Sequence, residues 1–159
     1  MQFGEGWAVN SRDGASVGLM YKVGTPSFAG LVLIDNLRVY SDPSDPTSAL
    51  QKLPVDVAAW LAAIPGIRVE PPRSFAVGSM TGTEYKFQFV PVEGGPSRLA
   101  IFNVGAAGFV PVPFGSLPNQ IFQMVVFEKD GDRLSAGFGG GTEDPTQPLK
   151  DLLVSSEHR

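Results

Sequence analysis

The chain has 159 residues, of which 43% are hydrophobic and 18% charged, and its formal net charge is −4. This much apolar surface excludes a wholly disordered chain, because it can offset the entropy lost on folding. The 12 Lys and Arg residues are scattered, whereas nucleic-acid binding requires a basic face, so we expect no nucleic-acid partner. With no cysteine, and His158 as the single histidine, disulfides, thiolate chemistry and an interior histidine-dependent site are excluded within this sequence.

The first forty residues predict β structure. Short strands are expected at 7–9 and 16–23, and a longer strand at 31–40 whose first half is apolar on both faces. Asp35 and Asn36 interrupt that longer strand, and we expect a bulge there.

The next segment predicts a loop followed by a helix. Residues 41–52 contain Asp-Pro pairs, which form turns. A helix is predicted at about 54–64, because apolar residues recur at i, i+3, i+4 and i+7 and alanines lie between them. This apolar face consists of Val57, Trp60, Leu61 and Ile64.

The second half predicts further short strands and a final helix. Alternation is clearest at 83–90, where Tyr85, Phe87 and Phe89 point to one side and Glu84 and Lys86 to the other. The Gly-rich run at 137–142 is expected to form a turn. The remaining strands are predicted at 67–70, 75–77, 98–104, 121–127 and 134–138, and a short helix at about 147–154.

These elements predict one α+β domain spanning residues 1–159. We expect a curved, mainly antiparallel sheet of about 7–9 strands, with the helices at 54–64 and 147–154 packed on it. No signal peptide is expected, because the opening MQFGEGWAV has no basic start and no long apolar run. No transmembrane segment is expected, since the longest uncharged stretch is broken by prolines and glycines.

Several sequence blocks resemble a known group of proteins. They are FGEGWAV, LVLIDNLRVYSDP, DVAAWLAAIPGIRVEPPRSFAVGSMTGTEYKF, and QMVVFEKDGDRLSAGFGGG followed by LKDLLVSS. In this order they resemble a family of uncharacterised bacterial extracytoplasmic domains, and the layout is loosely similar to the PsbP-like α+β sandwich. The resemblance implies a secreted or lipid-anchored domain whose leader is absent here, with a cytoplasmic protein as the alternative. It transfers no catalytic residue.

The most unusual segment is the uncharged stretch 104–118, VGAAGFVPVPFGSLP. Its glycines and prolines predict an apolar loop rather than a packed regular element. It either folds over an open end of the sheet or contacts a partner. The candidate binding residues are Phe109, Val110, Val112 and Phe114.

The sequence contains no established catalytic or metal-binding motif. The phosphate-loop pattern, the EF-hand pattern and the usual serine-nucleophile patterns are all missing, so we expect no cofactor and no metal site. Aspartates such as Asp42 and Asp45 are expected to form turns. Asp35 is the candidate for an acidic site, because a carboxylate inside an apolar strand can have a raised pKa.

The leading hypothesis is a non-catalytic extracytoplasmic binding domain that uses the loop at 104–118. Its partner would be a protein, a second copy of the chain or an apolar small molecule. One alternative is a carboxylate-dependent hydrolase or lyase that uses Asp35. The other alternative is a structural module of an envelope assembly.

Overall fold

The computed structural model describes residues 7–9, 16–22, 30–35, 37–78, 80–104, 110–114, 121–129 and 132–141. These residues form twelve strands and one helix, α1 (Val57–Ala63). The strands are β1 (Trp7–Val9), β2 (Ser16–Lys22), β3 (Gly30–Asp35), β4 (Arg38–Tyr40), β5 (Leu50–Lys52), β6 (Ile67–Val69), β7 (Arg73–Val77), β8 (Met80–Phe89), β9 (Leu99–Val104), β10 (Val110–Phe114), β11 (Ile121–Lys129) and β12 (Asp132–Gly141).

The strands form two open antiparallel sheets. The larger sheet has eight strands in the order β1-β2-β3-β12-β11-β8-β6, with β7 also paired to β8. The smaller sheet has the order β10-β9-β4-β5. The prediction of mainly antiparallel β structure with a helix at 54–64 is therefore confirmed. The prediction of one curved sheet is wrong, because four of the described strands form a second sheet and neither sheet is curved.

The division into two sheets begins at the interrupted strand. The predicted strand 31–40 consists of two strands, since β3 ends at Asp35 and β4 begins at Arg38. β3 pairs with β12 in the larger sheet, whereas β4 pairs with β9 in the smaller one. The interruption thus marks the point where the chain changes sheets.

Helix α1 is held at both ends by local signals. Asp56 caps its start, because its side chain accepts a hydrogen bond of 2.9 Å from the Ala59 N–H. Pro65 follows the C-cap residue Ile64, and Gly66 adopts a φ of 84°, which favours glycine. The helix is thus shorter at both ends than the predicted range 54–64.

The core lies where α1 meets the two sheets. Val57, Leu61 and Ile64 are buried, and Trp60 is half-buried, so the predicted apolar face is confirmed. Phe102 on β9 contacts both Trp60, at a ring separation of 6.0 Å, and Phe87 on β8, at 6.4 Å. Each fully buried side chain of this size contributes about 1.5–3 kcal/mol.

The larger sheet also continues through residues expected to form a turn. β12 extends through Gly141, so the predicted turn at 137–142 is largely strand. The helix predicted at 147–154 lies outside the described residues.

Candidate functional site

The apolar segment supplies an edge strand rather than a loop. Val110 and Val112 lie in β10, and so does Phe114 at its end. β10 pairs with β9 at the edge of the smaller sheet. The prediction of a loop across 104–118 is therefore wrong for this part. The physical reason is that an edge strand tolerates proline at positions where no N–H is needed for pairing. Phe109 lies outside the described residues.

Two prolines determine what the outer edge of β10 can do. Pro111 and Pro113 pair with Asn103 and Ala100, and the register shifts between Val112 and Pro113. The Ala100 N–H donates away from β10, to the Pro43 carbonyl at 2.8 Å. Pro113 therefore lies at a position where β9 and β10 exchange no hydrogen bond.

Pro111 must occupy the same kind of position, since a proline has no N–H to donate to its neighbour. Both proline nitrogens consequently point to the outer edge, where the carbonyl groups of an added strand would need N–H donors. The outer edge of β10 offers carbonyl acceptors at these positions and no N–H. A partner strand therefore cannot form a regular ladder here.

Asp35 lies at the last position of β3. It is paired with Leu134, which in turn is paired with Phe127 on β11. Phe127 is paired with Gly82 on β8, two residues before Glu84. Three strand spacings and two residues separate Asp35 from Glu84, or about 16 Å between Cα atoms.

That separation matters for the carboxylate hypothesis. Glu84 is a buried carboxylate in the same sheet and hence a natural second partner for Asp35. Glycosidase carboxyl groups lie about 5–9.5 Å apart. The Cα atoms of Asp35 and Glu84 are well beyond that range, so the backbone geometry does not favour the two residues as an acid–base pair.

The described residues contain a polar cluster that the sequence did not predict as buried. Glu84, Lys86 and Gln123 expose 5%, 7% and 2% of their surface. Gln123 is paired with Lys86 across β8 and β11, and its Nε2 donates to the Glu84 Oε1. This places a carboxylate, an ammonium and an amide together on the sheet face opposite Phe87 and Met124.

Alternation correctly predicted that Glu84 and Lys86 share a face. Gln123 was overlooked because the strand around it is otherwise apolar. A single polar residue in such a strand is the signal that could have found it. This buried polar cluster favours one register between β8 and β11, because a one-residue shift of either strand would separate the charged groups from their hydrogen-bonding partners.

The aspartates after β4 form turns, as predicted. The Asp42 Oδ1 accepts a 2.9 Å hydrogen bond from the Ser44 N–H. The Asp45 Oδ1 accepts from the Thr47 hydroxyl at 2.6 Å and from its N–H at 2.8 Å. Both bonds lower the pKa of Asp45 below its usual value of 3.8, and the bond from the Thr47 hydroxyl is the larger cause.

No group of three or more potential metal-ligating side chains occurs within the described ranges. In the same part of the chain, no helix is long and apolar enough to cross a membrane. Comparison with protein-family models, curated proteins and solved structures gave no match.

Proposed function

We propose that this chain is a non-catalytic binding domain whose contact surface is the apolar segment 104–118. The observation that carries the proposal is the position of β10. β10, which supplies residues 110–114 of the uncharged stretch, lies at the outer edge of the smaller sheet, and β9 is its sole neighbour among the described strands. Apolar sequence at such an edge is typical of surfaces that contact another molecule.

The edge chemistry defines the mode of binding. Pro111 and Pro113 leave no outward N–H, so a partner cannot extend the sheet by adding a strand. Binding through this segment must come from burial of apolar surface, at about 25 cal/mol per Å². The partner is accordingly a protein, a second copy or a small molecule with an apolar surface of its own.

We also propose that the domain acts outside the cytoplasm, as a secreted or lipid-anchored protein. Support for this comes from the sequence blocks that resemble those of extracytoplasmic bacterial domains. The test is fractionation of the native cells with an antibody to this chain, together with mass spectrometry of the mature N-terminus. Recovery of the chain in the cytoplasmic fraction alone would contradict this location.

The binding proposal is tested by native mass spectrometry of freshly purified protein, with a denatured spectrum of the same sample. Mass that disappears on denaturation indicates a small molecule, and a multiple of 16.9 kDa indicates self-association. Affinity capture from the source organism, followed by reconstitution with the purified candidate, detects a protein partner.

The decisive comparison uses the double variant Phe109→Ser/Phe114→Ser. We expect it to lose the bound species by at least tenfold. Val55→Ser is the matched control, because it removes a 90% exposed apolar side chain outside the segment. If both variants bind as the unmodified protein does, the segment is not the contact surface.

A further inference from the structure

The edges of the described sheets differ in how they are protected against pairing with another strand. β10 carries two prolines, and β1, β5 and β6 have three residues each. β5 also contains Lys52, and Pro71 and Pro72 lie in the link between β6 and β7. Short strands, lysine and proline are the usual devices that block an edge. β7 has five residues and contains neither lysine nor proline. Pro72 directly precedes it, and its first residue, Arg73, forms an ion pair with Glu70 at 3.2 Å.

β6 and β7 pair with β8 on the side away from β11, and the hydrogen bonds there show which residues of β8 point their backbone groups toward β7. The Glu70 N–H donates to the Lys86 carbonyl at 2.8 Å, and the Val90 N–H donates to the Gly66 carbonyl at 2.7 Å. Even-numbered residues of β8 therefore point their backbone groups toward β6 and β7.

It follows which residues of β7 bond to β8 and which do not. Arg73, Phe75 and Val77 pair with residues 84, 82 and 80, so their backbone groups point inward. Ser74 and Ala76 must point theirs outward, and both residues are exposed. The outer edge of β7 thus has two N–H and two C=O groups that pair with no other described strand.

The strand is also fixed in place. Phe75 is buried, and its ring packs edge-on against that of Phe127, with 6.0 Å between the ring centroids. A strand held by a buried aromatic residue keeps its edge in an extended geometry, which lowers the entropy lost when a second strand pairs with it.

We propose that β7 pairs in antiparallel fashion with β7 of a second copy, joining the two larger sheets around a twofold axis. In this register, Phe75 of one copy lies opposite Phe75 of the other. Ser74 of each copy then lies opposite Ala76 of the other copy. Each of these two pairs exchanges two backbone hydrogen bonds, which gives four in total. Arg73 lies opposite Val77, so no like charges face each other. The strand is therefore complementary to itself in both hydrogen bonding and charge, as a twofold interface requires.

A short interface of this kind forms a concentration-dependent dimer. In sedimentation or light scattering we expect the mass to rise from 16.9 kDa toward twice that value as concentration increases. Ala76→Pro removes one outward N–H without changing the bonds to β8, and we expect it to remain monomeric. Ala76→Ser keeps that N–H and is the matched control. Circular dichroism confirms that both variants fold.

The pairing register is tested by disulfide trapping, since the chain has no cysteine of its own. Ser74→Cys and Ala76→Cys are purified separately and mixed under mild oxidation. The mixture should form a heterodimer at least fivefold faster than either variant alone, because Ser74 meets Ala76 and not itself. Equal rates in all three samples, or a monomer mass at every concentration, would overturn the pairing. Phe109→Ser/Phe114→Ser should dimerise normally, which separates this interface from the segment 104–118.

Discussion

Arg133 is predicted to stabilise the protein by holding the segment before α1 against the larger sheet. Its Nη1 donates to the carbonyls of Leu53 and Pro54, at 3.0 and 2.8 Å. These bonds join residues about 80 positions apart in sequence. Arg133→Met keeps the aliphatic stem of the side chain and removes the donors.

The magnitude follows from the contacts. A hydrogen bond that involves a charged group contributes about 1.5–3 kcal/mol when buried, and Arg133 keeps 23% of its side-chain surface exposed. The contact to the Val55 carbonyl, at 3.5 Å, lies at the limit of hydrogen bonding and adds little. We expect Arg133→Met to lower the free energy of unfolding by about 2–3 kcal/mol.

The ion pair of Arg133 provides the internal control. The Arg133 Nε lies 3.2 Å from the Glu128 Oε1, but that contact lacks hydrogen-bond geometry, and Glu128 is 70% exposed. Exposed pairs contribute about 0–1 kcal/mol, so Glu128→Gln should cost less than about 0.5 kcal/mol.

The assay is urea unfolding followed by tryptophan fluorescence, because half-buried Trp60 lies on the helix that this segment precedes. In thermal unfolding, Arg133→Met should lower the Tm by about 5–10 °C. Equal destabilisation by Arg133→Met and Glu128→Gln would show that the ion pair, rather than the carbonyl contacts, carries the effect. That result would refute the reasoning.

Three further predictions follow from the core, an edge and a turn. Leu61→Ala should lower the free energy of unfolding in urea by about 2–5 kcal/mol, because Leu61 is fully buried; a loss below 1 kcal/mol would contradict this. Pro111→Val/Pro113→Val introduces two outward N–H groups and should give a larger assembly than the unmodified protein at the same concentration in size-exclusion chromatography, whereas an elution volume equal to that of the unmodified protein would argue against the edge geometry. The NMR titration of Asp45 should have a midpoint below 3.8, and Thr47→Val should raise that pKa, since its hydroxyl bond is the largest cause of the shift.

The last prediction has a defined sign. Because folding lowers the pKa of Asp45, its contribution to stability is present above the unfolded value of 3.8. That contribution is lost as the pH falls through the lower folded value. An Asp45 midpoint unchanged by Thr47→Val would exclude the hydroxyl as the cause.

Local patterns predicted the elements whose signals lie within a few residues. The spacing of Val57, Leu61 and Ile64 predicted a helix and its buried face. Alternation predicted that Phe87 and Phe89 share one face of a strand, and that face lies in the core. Both features arise from the geometry of one helix or one strand. Asp42 likewise formed its turn from contacts two residues away.

The candidate site was less predictable. The prolines and glycines of 104–118 predict a loop, yet proline also fits an edge strand at positions where the neighbouring strand accepts no hydrogen bond from it. Whether a strand is an edge depends on which strands pair with it, and a single segment does not encode that.

The sequence alone determined the acidic, cysteine-free composition, the helix that begins near Asp56 and the alternation of β8. These features depend on residue chemistry and on periodicities of two and 3.6 residues. Tertiary structure alone decided that β3 and β4 belong to different sheets, that Glu84, Lys86 and Gln123 are buried together, and that β7 and β10 both lie at sheet edges. Those outcomes depend on pairings between residues far apart in the chain, and such pairings exist only after the strands have found their neighbours.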